Sequence, residues 1–227
     1  MQHHPMLFEE FAVEAVVATG VMDHLWQLGW RHFGAQFFRY SMNVHAGEWQ
    51  HIVPVRIDLE RFELSKSQRR GLRKNEDLVC EWLPASVDEE LVQVFEAHKN
   101  RFHDNVPTSL HDFVSLMPGN FPCACELLRC RLGGTCVAAS FCDVDELATS
   151  SVYGLFAPDH SIRSLGIFTL LKEIERAMEQ GRRWHYLGYA SHEAGIYDYK
   201  KRFAGLEGFD WASETWVRNP FDTGQLI

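Results

Sequence analysis

The 227-residue chain has no apolar run approaching the roughly 20 residues that a bilayer-spanning helix requires, so no membrane span is expected. Its first residues, Met1-Gln-His-His-Pro5, are not a basic region leading into a long apolar stretch, so no secretory leader is expected either. His3 and His4 read as part of a mobile terminus. There is no internal repeat and no low-complexity linker. A positive net charge is also missing: the balance is −9, which excludes a surface that coats nucleic acid uniformly. Six cysteines without a leader imply reduced thiols and a cytoplasmic protein. Nor are those cysteines spaced for zinc. One residue separates Cys123 from Cys125 and four separate Cys125 from Cys130, and no second pair follows. Alternation along a strand puts Cys123 and Cys125 on one face, as buried small apolar residues would be. No metal is expected.

What is present is ordinary globular composition, 46% hydrophobic and 23% charged, in a chain long enough to bury a core. Against the acidic total, Ser65 to Asn75 carries five basic residues, Lys66, Arg69, Arg70, Arg73 and Lys74, and no acid. Ser65 suits the N-cap of a short helix there. Phe8 to Val17 reads as the start of a sheet. Thr19 is expected to cap a helix over Val21 to Leu28, with Gly29 as its left-handed exit. Gln36 to Val44 is extended, and Val53 to Leu59 alternates as a strand. Leu78 to Leu83 is a further strand. Periodic apolar residues predict helices over Val87 to Phe102 and Ser109 to Met117, the latter stopped by Pro118-Gly119. The richness in tryptophan and phenylalanine from Trp26 to Phe38 reads as core rather than a base-stacking platform.

From Cys125 a hairpin forms around Gly133-Gly134, and Thr149 to Phe156 completes a meander. Arg163-Ser164-Leu165-Gly166 then opens a strongly periodic helix ending at Gly181, and Trp184 to Tyr189 is the next strand. Strand, turn, helix and strand make a βαβ unit, expected to be right-handed. Its helix start would aim unpaired N–H groups and the positive end of a dipole at an anion, phosphate above all. The element order from Val87 onward is that of GNAT-type acyltransferases. The fold class is therefore α+β: a mixed, mostly antiparallel sheet flanked by helices, with an N-terminal α/β subdomain over 1–84 and a transferase domain over 85–227.

Several segments also resemble the arginyl/leucyl-tRNA–protein transferase family. They are Leu28-Gly-Trp-Arg-His-Phe-Gly34, Val53-Pro-Val-Arg-Ile57, Ser65-Lys-Ser-Gln-Arg-Arg70, Arg163-Ser-Leu-Gly166, Tyr186-Leu-Gly-Tyr189, and Tyr199-Lys200 with Phe203. Each is weak alone; their common order is specific. The resemblance implies transfer of an amino acid, arginine or leucine, from tRNA to the N-terminal amine of a protein, commonly one beginning with Asp or Glu. It implies aminoacyl-tRNA as co-substrate and no further cofactor. The partners are tRNA and a protein, peptide or small-molecule amine. Two departures stand out. Trp49 and Ile52 occupy the positions where the family carries Cys-x-x-Cys, and Ala190 to Ile196 replaces the family's usual sequence before Tyr-Lys.

An aminoacyl ester is already activated, so transfer requires alignment, removal of the ammonium proton and donors for the developing oxyanion. The catalytic candidates are Tyr189, His192, Glu193 and Lys200, with packing or solvation as the bland alternative. Lys66, Arg69, Arg70, Arg73 and Lys74 are candidates for tRNA phosphate; a solvated helix face is the alternative. Arg163, Ser164, Leu165 and Gly166 are assigned to the donor end, and Arg56 and Tyr199 to the acceptor. Two other functions share the fold: an acyl-CoA-dependent N-acyltransferase, and a catalytically silent binding module. Phe168 bears on the first, because acetyl-CoA enzymes usually carry Gly or Ala at that place in the turn and bulk there would crowd a pyrophosphate.

Overall fold

The computed structural model describes residues 7–221 except 46, 103–105 and 196; His3 and His4 lie outside the described residues. In chain order the elements are β1 (Glu9–Val13), α1 (Val21–Gln27), β2 (Arg31–Phe33), β3 (Gln36–Tyr40), β4 (Met42–His45), β5 (Glu48–Asp58), α2 (Lys66–Lys74) and β6 (Val79–Pro84). They continue with α3 (Glu89–Lys99), β7 (Cys125–Leu132), β8 (Thr135–Val144), β9 (Ala148–Phe156), α4 (Leu165–Glu179), β10 (Trp184–Ser191), β11 (Leu206–Asp210) and β12 (Thr215–Arg218). The large sheet runs β12-β11-β5-β10-β9-β8-β7-β6, with β4 paired to β5; β1-β3-β2 form a separate small sheet. β9 and β10 are parallel, joined through α4, while the other described neighbours are antiparallel. This is the α+β, GNAT-type arrangement. The large sheet takes strands from both sides of residue 84, because β5 lies between β10 and β11.

Successive side chains on a strand point to opposite faces. Leu127 packs with Leu91 and Phe95 of α3, whereas its neighbour Leu128 packs with Leu165 and Phe168 of α4. The two helices therefore cover opposite faces of the sheet. A second stripe of α4, Leu170, Leu171, Ile174 and Ala177, packs on Val53, Val55 and Ile57 of β5. Each large aliphatic side chain buried this way stabilises the fold by about 1.5–3 kcal/mol.

Local chemistry starts α2 and α3 as expected. Ser65 Oγ accepts from Gln68 N at 3.2 Å while Gln68 Oε1 accepts from Ser65 N at 2.8 Å, a reciprocal cap. Asp88 caps α3 through Leu91 N at 3.0 Å. Two local expectations need correction. Thr19 does not cap α1: Gly20 is the N-cap, and a distant carboxylate, Asp145, accepts from Gly20 N at 2.7 Å and from Asp23 N at 3.0 Å. The helix predicted over Ser109 to Met117 is a single 3-10 turn, Leu110–Asp112. Asp112 turns back to bond Thr108 N and Ser109 N, and Phe113 stacks on Tyr153 at 3.8 Å between ring centroids, so tertiary contacts take the segment before a second helical turn forms.

Candidate active site

β9 and β10 pair only from Ala148 to Ser150 and from Trp184 to Tyr186. Beyond that they part. β10 stays with β5 across an irregularity between Tyr186 and Gly188, where Gly188 adopts φ +86°. A Cβ at Gly188 would make ordinary contact with Lys200 Nζ at 3.4 Å and Arg31 Nη2 at 3.7 Å, so it is the left-handed backbone angle that favours glycine here. The opening is a cavity of about 560 Å³. β9 contributes Ser151 to Gly154, β10 contributes Leu187 to Tyr189, and α4 contributes Gly166, Thr169 and Glu173; Tyr199, Lys200, Arg31 and Phe38 close it.

The start of α4 opens into the same cavity. Ser164 adopts φ +56°, an uncommon conformation for a residue with a side chain, and among the described residues no side-chain hydrogen bond caps the helix. The first N–H groups of a helix lack partners in a preceding turn; Ile167 N donates to the Ser164 carbonyl at 3.1 Å, which leaves those of Leu165 and Gly166, without a partner among the described residues, open to an anion. Ser164 and Gly166 line this end. Leu165 does not: it is fully buried under Leu128 and Ala138. Phe168 is turned into that same cluster, so it does not crowd the turn, and its bulk does not distinguish a coenzyme A donor from a tRNA donor. Arg163 does not line the cavity either. Its guanidinium grips Asp77 through two 2.8 Å bonds, its carbonyl accepts from Asn75 Nδ2 at 3.1 Å, and Lys74 Nζ bonds the Ile162 carbonyl at 2.5 Å. These bonds fasten the C-terminal end of α2 to the turn that starts α4. The basic side chains Lys66, Arg69, Arg70, Arg73 and Lys74 are all exposed on α2, beside the cavity's anion-seeking end.

Of the four catalytic candidates, two reach the cavity. Lys200 is 9% exposed and donates to the Tyr189 carbonyl at 3.0 Å. Burial, reinforced by the Arg31 guanidinium and opposed by Glu173, pushes its ammonium down to about 7. Tyr189 lines the wall with its ring, but its hydroxyl donates to the carbonyls of Gly29 and Phe38, at 3.1 and 3.3 Å, and burial raises its pKa. That hydroxyl ties β10 to β3 and is not free to relay a proton. Tyr199 also lines the cavity, its phenol likewise raised by burial.

His192 and Glu193 lie outside it. Glu193 holds His51 through Nδ1 at 2.6 Å and its backbone N at 2.9 Å, and His192 N donates to the His51 carbonyl. Burial works to raise the Glu193 carboxyl, but these bonds outweigh it and hold it low. The cluster fastens the end of β10 to β5 between Trp49 and Ile52, the positions where the resembling family carries Cys-x-x-Cys. Arg56 is also away from the cavity. It is buried between Trp184 and Trp216, 3.6 and 4.3 Å from their centroids, and bonded to Glu207 and Gln27. Trp26 and Phe37 are core, as expected, whereas Phe33 and Phe38 of the same stretch face the cavity.

Arg31, Ser140 and Glu173 were not singled out by sequence pattern. Arg31 reaches over from β2 to bond the Ser150 hydroxyl and the Ser151 carbonyl. Two buried groups have metal-type donor atoms within 4.8 Å of one another: His32, Cys123 and Asp143, and Cys142, Glu173 and His185. In the first, both His32 nitrogens already face acceptors, Gly34 O at 2.9 Å and Asp143 at 2.6 Å. In both, burial raises the thiol, opposing the thiolate that a metal takes.

Comparison with known proteins identifies the family. Residues 90–210, more than half the chain, match the model of the family described as arginine-tRNA-protein transferase, C terminus. An aspartate/glutamate leucyltransferase of Marinobacter nauticus is 33% identical over 188 residues, covering 82% of this chain and 77% of its own length. A Xanthomonas campestris pv. campestris protein of the same name is 34% identical over 167 residues, covering 70% of this chain and 66% of its own. Among solved structures, the C-terminal domain of a lysylphosphatidylglycerol synthetase from Agrobacterium fabrum superposes with a TM-score of 0.49 at 20% identity, covering 63% of this chain and 48% of that one. The chain belongs to the arginine-tRNA–protein transferase family and is an aminoacyltransferase that uses aminoacyl-tRNA.

Proposed function

We propose that the chain moves leucine from leucyl-tRNA to the N-terminal amine of a protein or peptide beginning with Asp or Glu. The observation that carries this reading is the cavity between β9 and β10, which joins an uncapped helix start to a buried lysine whose pKa is about 7. In this reading the 3′ end of tRNA crosses α2, where the exposed basic residues neutralise phosphates, and its terminal phosphate meets the N–H groups after Ser164. The ester then lies in the splay, along α4. Lys200, neutral in a large fraction of molecules at pH 7, takes the proton of the incoming ammonium. The neutral amine attacks the ester carbonyl, a tetrahedral oxyanion forms, and its collapse gives the peptide bond and releases the ribose hydroxyl. Arg31 and the protonated Lys200 supply positive charge beside that oxyanion.

Ile167, Leu170 and Leu187 give the cavity apolar walls, which suit leucine. An arginine side chain would set a second guanidinium against those apolar walls, beside that of Arg31. The guanidinium of Arg31 is bonded to a hydroxyl and a carbonyl rather than a carboxylate, so it favours an acidic acceptor side chain nearby. The test is to incubate the protein with leucyl-tRNA, arginyl-tRNA or acetyl-CoA, together with peptides beginning Asp, Glu or Ala, and to weigh the products. A leucine increment on the Asp and Glu peptides is expected. Acetylation with no tRNA dependence would overturn the reading in favour of an acyl-CoA transferase. Binding of charged tRNA without any product would leave a silent binding module.

A further inference from the structure

At the floor of the cavity three buried polar atoms, Glu173 Oε2, Ser140 Oγ and the Tyr153 hydroxyl, have no hydrogen-bond partner among the described residues. Glu173 and Ser140 are each 1% exposed. Buried polar groups are nearly always paired, because an unpaired one forfeits its hydration without return. Glu173 is the sharpest case. It stands on the buried face of α4, and His185 Nε2, 3.4 Å from its Oε2, makes no hydrogen bond to it and is an ion-pair partner only when the imidazole is protonated. The other His185 nitrogen is taken by Thr149 Oγ1 at 2.8 Å. A carboxylate that only accepts, beside hydroxyls that accept as readily as they donate, complements a compact cation with several N–H donors.

We propose that Glu173, with Ser140, is the subsite for the free α-ammonium of the aminoacyl group being transferred. This rests on the reading of the cavity as an aminoacyl-tRNA site. Two ammonium groups take part in such a reaction, and position separates them. Gly166 and Glu173 are seven residues apart on one face of α4, about 10 Å along its axis. With the donor's terminal phosphate at the helix start, that length spans a ribose and an esterified α-carbon, which brings the donor's α-ammonium to Glu173. The acceptor amine approaches Lys200 and Arg31 instead, where neighbouring positive charge favours the neutral, nucleophilic form. A donor such as acetyl-CoA carries no ammonium and leaves Glu173 unmatched, so the carboxylate also selects the class of acyl donor.

The experiment compares leucyl-tRNA with the same tRNA carrying α-hydroxyisocaproate, the leucine analogue with a hydroxyl in place of the ammonium, in transfer to a peptide beginning with Glu. The wild-type protein is expected to favour the amino ester in kcat/KM by about 10- to 100-fold, the range for one hydrogen-bonded charge. Glu173→Gln is expected to bring that ratio near one, and Ser140→Ala to lower it by a smaller factor. Equal use of both esters by the wild-type protein overturns the proposal, as does a Glu173→Gln variant that transfers more slowly yet keeps the wild-type ratio. Should Glu173→Gln fail to fold, the wild-type ratio and Ser140→Ala decide. No transfer from either ester overturns the transferase reading itself, and the subsite with it.

Discussion

Replacing Lys200 with methionine removes a buried amine while keeping much of its length and apolar stem, so activity and stability should move in opposite directions. Activity is expected to fall by about 10²–10⁴-fold, the usual contribution of a positioned base. In the wild-type protein, kcat/KM for leucine transfer should rise with pH through a midpoint near 7, because the base works only when unprotonated. The stability effect follows from the same shift. The unfolded lysine titrates near its ordinary 10.5 and the folded one near 7, so the unfolded state binds more protons between those values. Folding stability therefore increases as pH rises across that window, and the full cost of the buried ammonium is present below pH 7. At about 1.4 kcal/mol per unit, that cost is on the order of 5 kcal/mol. Methionine also leaves the Tyr189 carbonyl without its Lys200 donor, which offsets roughly 1–2 kcal/mol of the gain. Urea unfolding at pH 6 should thus show Lys200→Met more stable than wild type by about 3–4 kcal/mol, and the gain should shrink toward pH 10.5. A variant that transfers leucine at the wild-type rate, or that is destabilised at pH 6, refutes the assignment.

Other regions make separate predictions. Arg69→Glu with Arg70→Glu reverses two exposed charges on α2, so tRNA binding should weaken and the slope of log affinity against log salt should flatten by about 1.5–2; an unchanged slope would free these residues from phosphate. Ser65→Ala removes half of the reciprocal cap on α2 and should cost about 1 kcal/mol in urea unfolding, without altering the pH profile of transfer. Gly205 has φ +74° and its added Cβ would lie 2.6 Å from the Asp58 carbonyl, so Gly205→Ala should lower the thermal midpoint sharply; a midpoint within 1–2 °C of wild type would contradict that geometry. Asp77→Ala frees Arg163 and loosens the link between α2 and α4, so KM for leucyl-tRNA should rise more than kcat falls.

Much of the fold was legible because its signals are local. The Ser65–Gln68 cap, the Gly133-Gly134 hairpin and the apolar stripe of α4 each lie within a few residues of one another, and each formed where its chemistry indicated. Thr19 misled because the carboxylate that caps α1 comes from Asp145, more than a hundred residues away. Ser109 to Met117 misled because Phe113 and Leu110 are held by the sheet, not by a helix. The site was less legible for the same reason. Arg31, Ser140, Glu173 and Lys200 come from four separate parts of the chain and meet only where β9 and β10 part. Arg163 and Arg56 carried the right charge for a ligand, but Asp77 and Glu207 already neutralise it. One signal for Glu173 was available: Thr169 and Glu173 interrupt the apolar stripe of α4, and an acid on a helix face that should be buried calls for a partner.

The most direct test plugs the splay between β9 and β10. Gly154 lines the cavity at an ordinary backbone angle, and a Cβ there meets nothing closer than Thr169 Oγ1 at 3.9 Å, so leucine at this position fills the space without straining the strand. Single-turnover transfer of labelled leucine from leucyl-tRNA to a peptide beginning with Glu should proceed with the wild-type protein and be lost in folded Gly154→Leu. Undiminished transfer by the plugged variant would contradict the assignment of chemistry to this cavity.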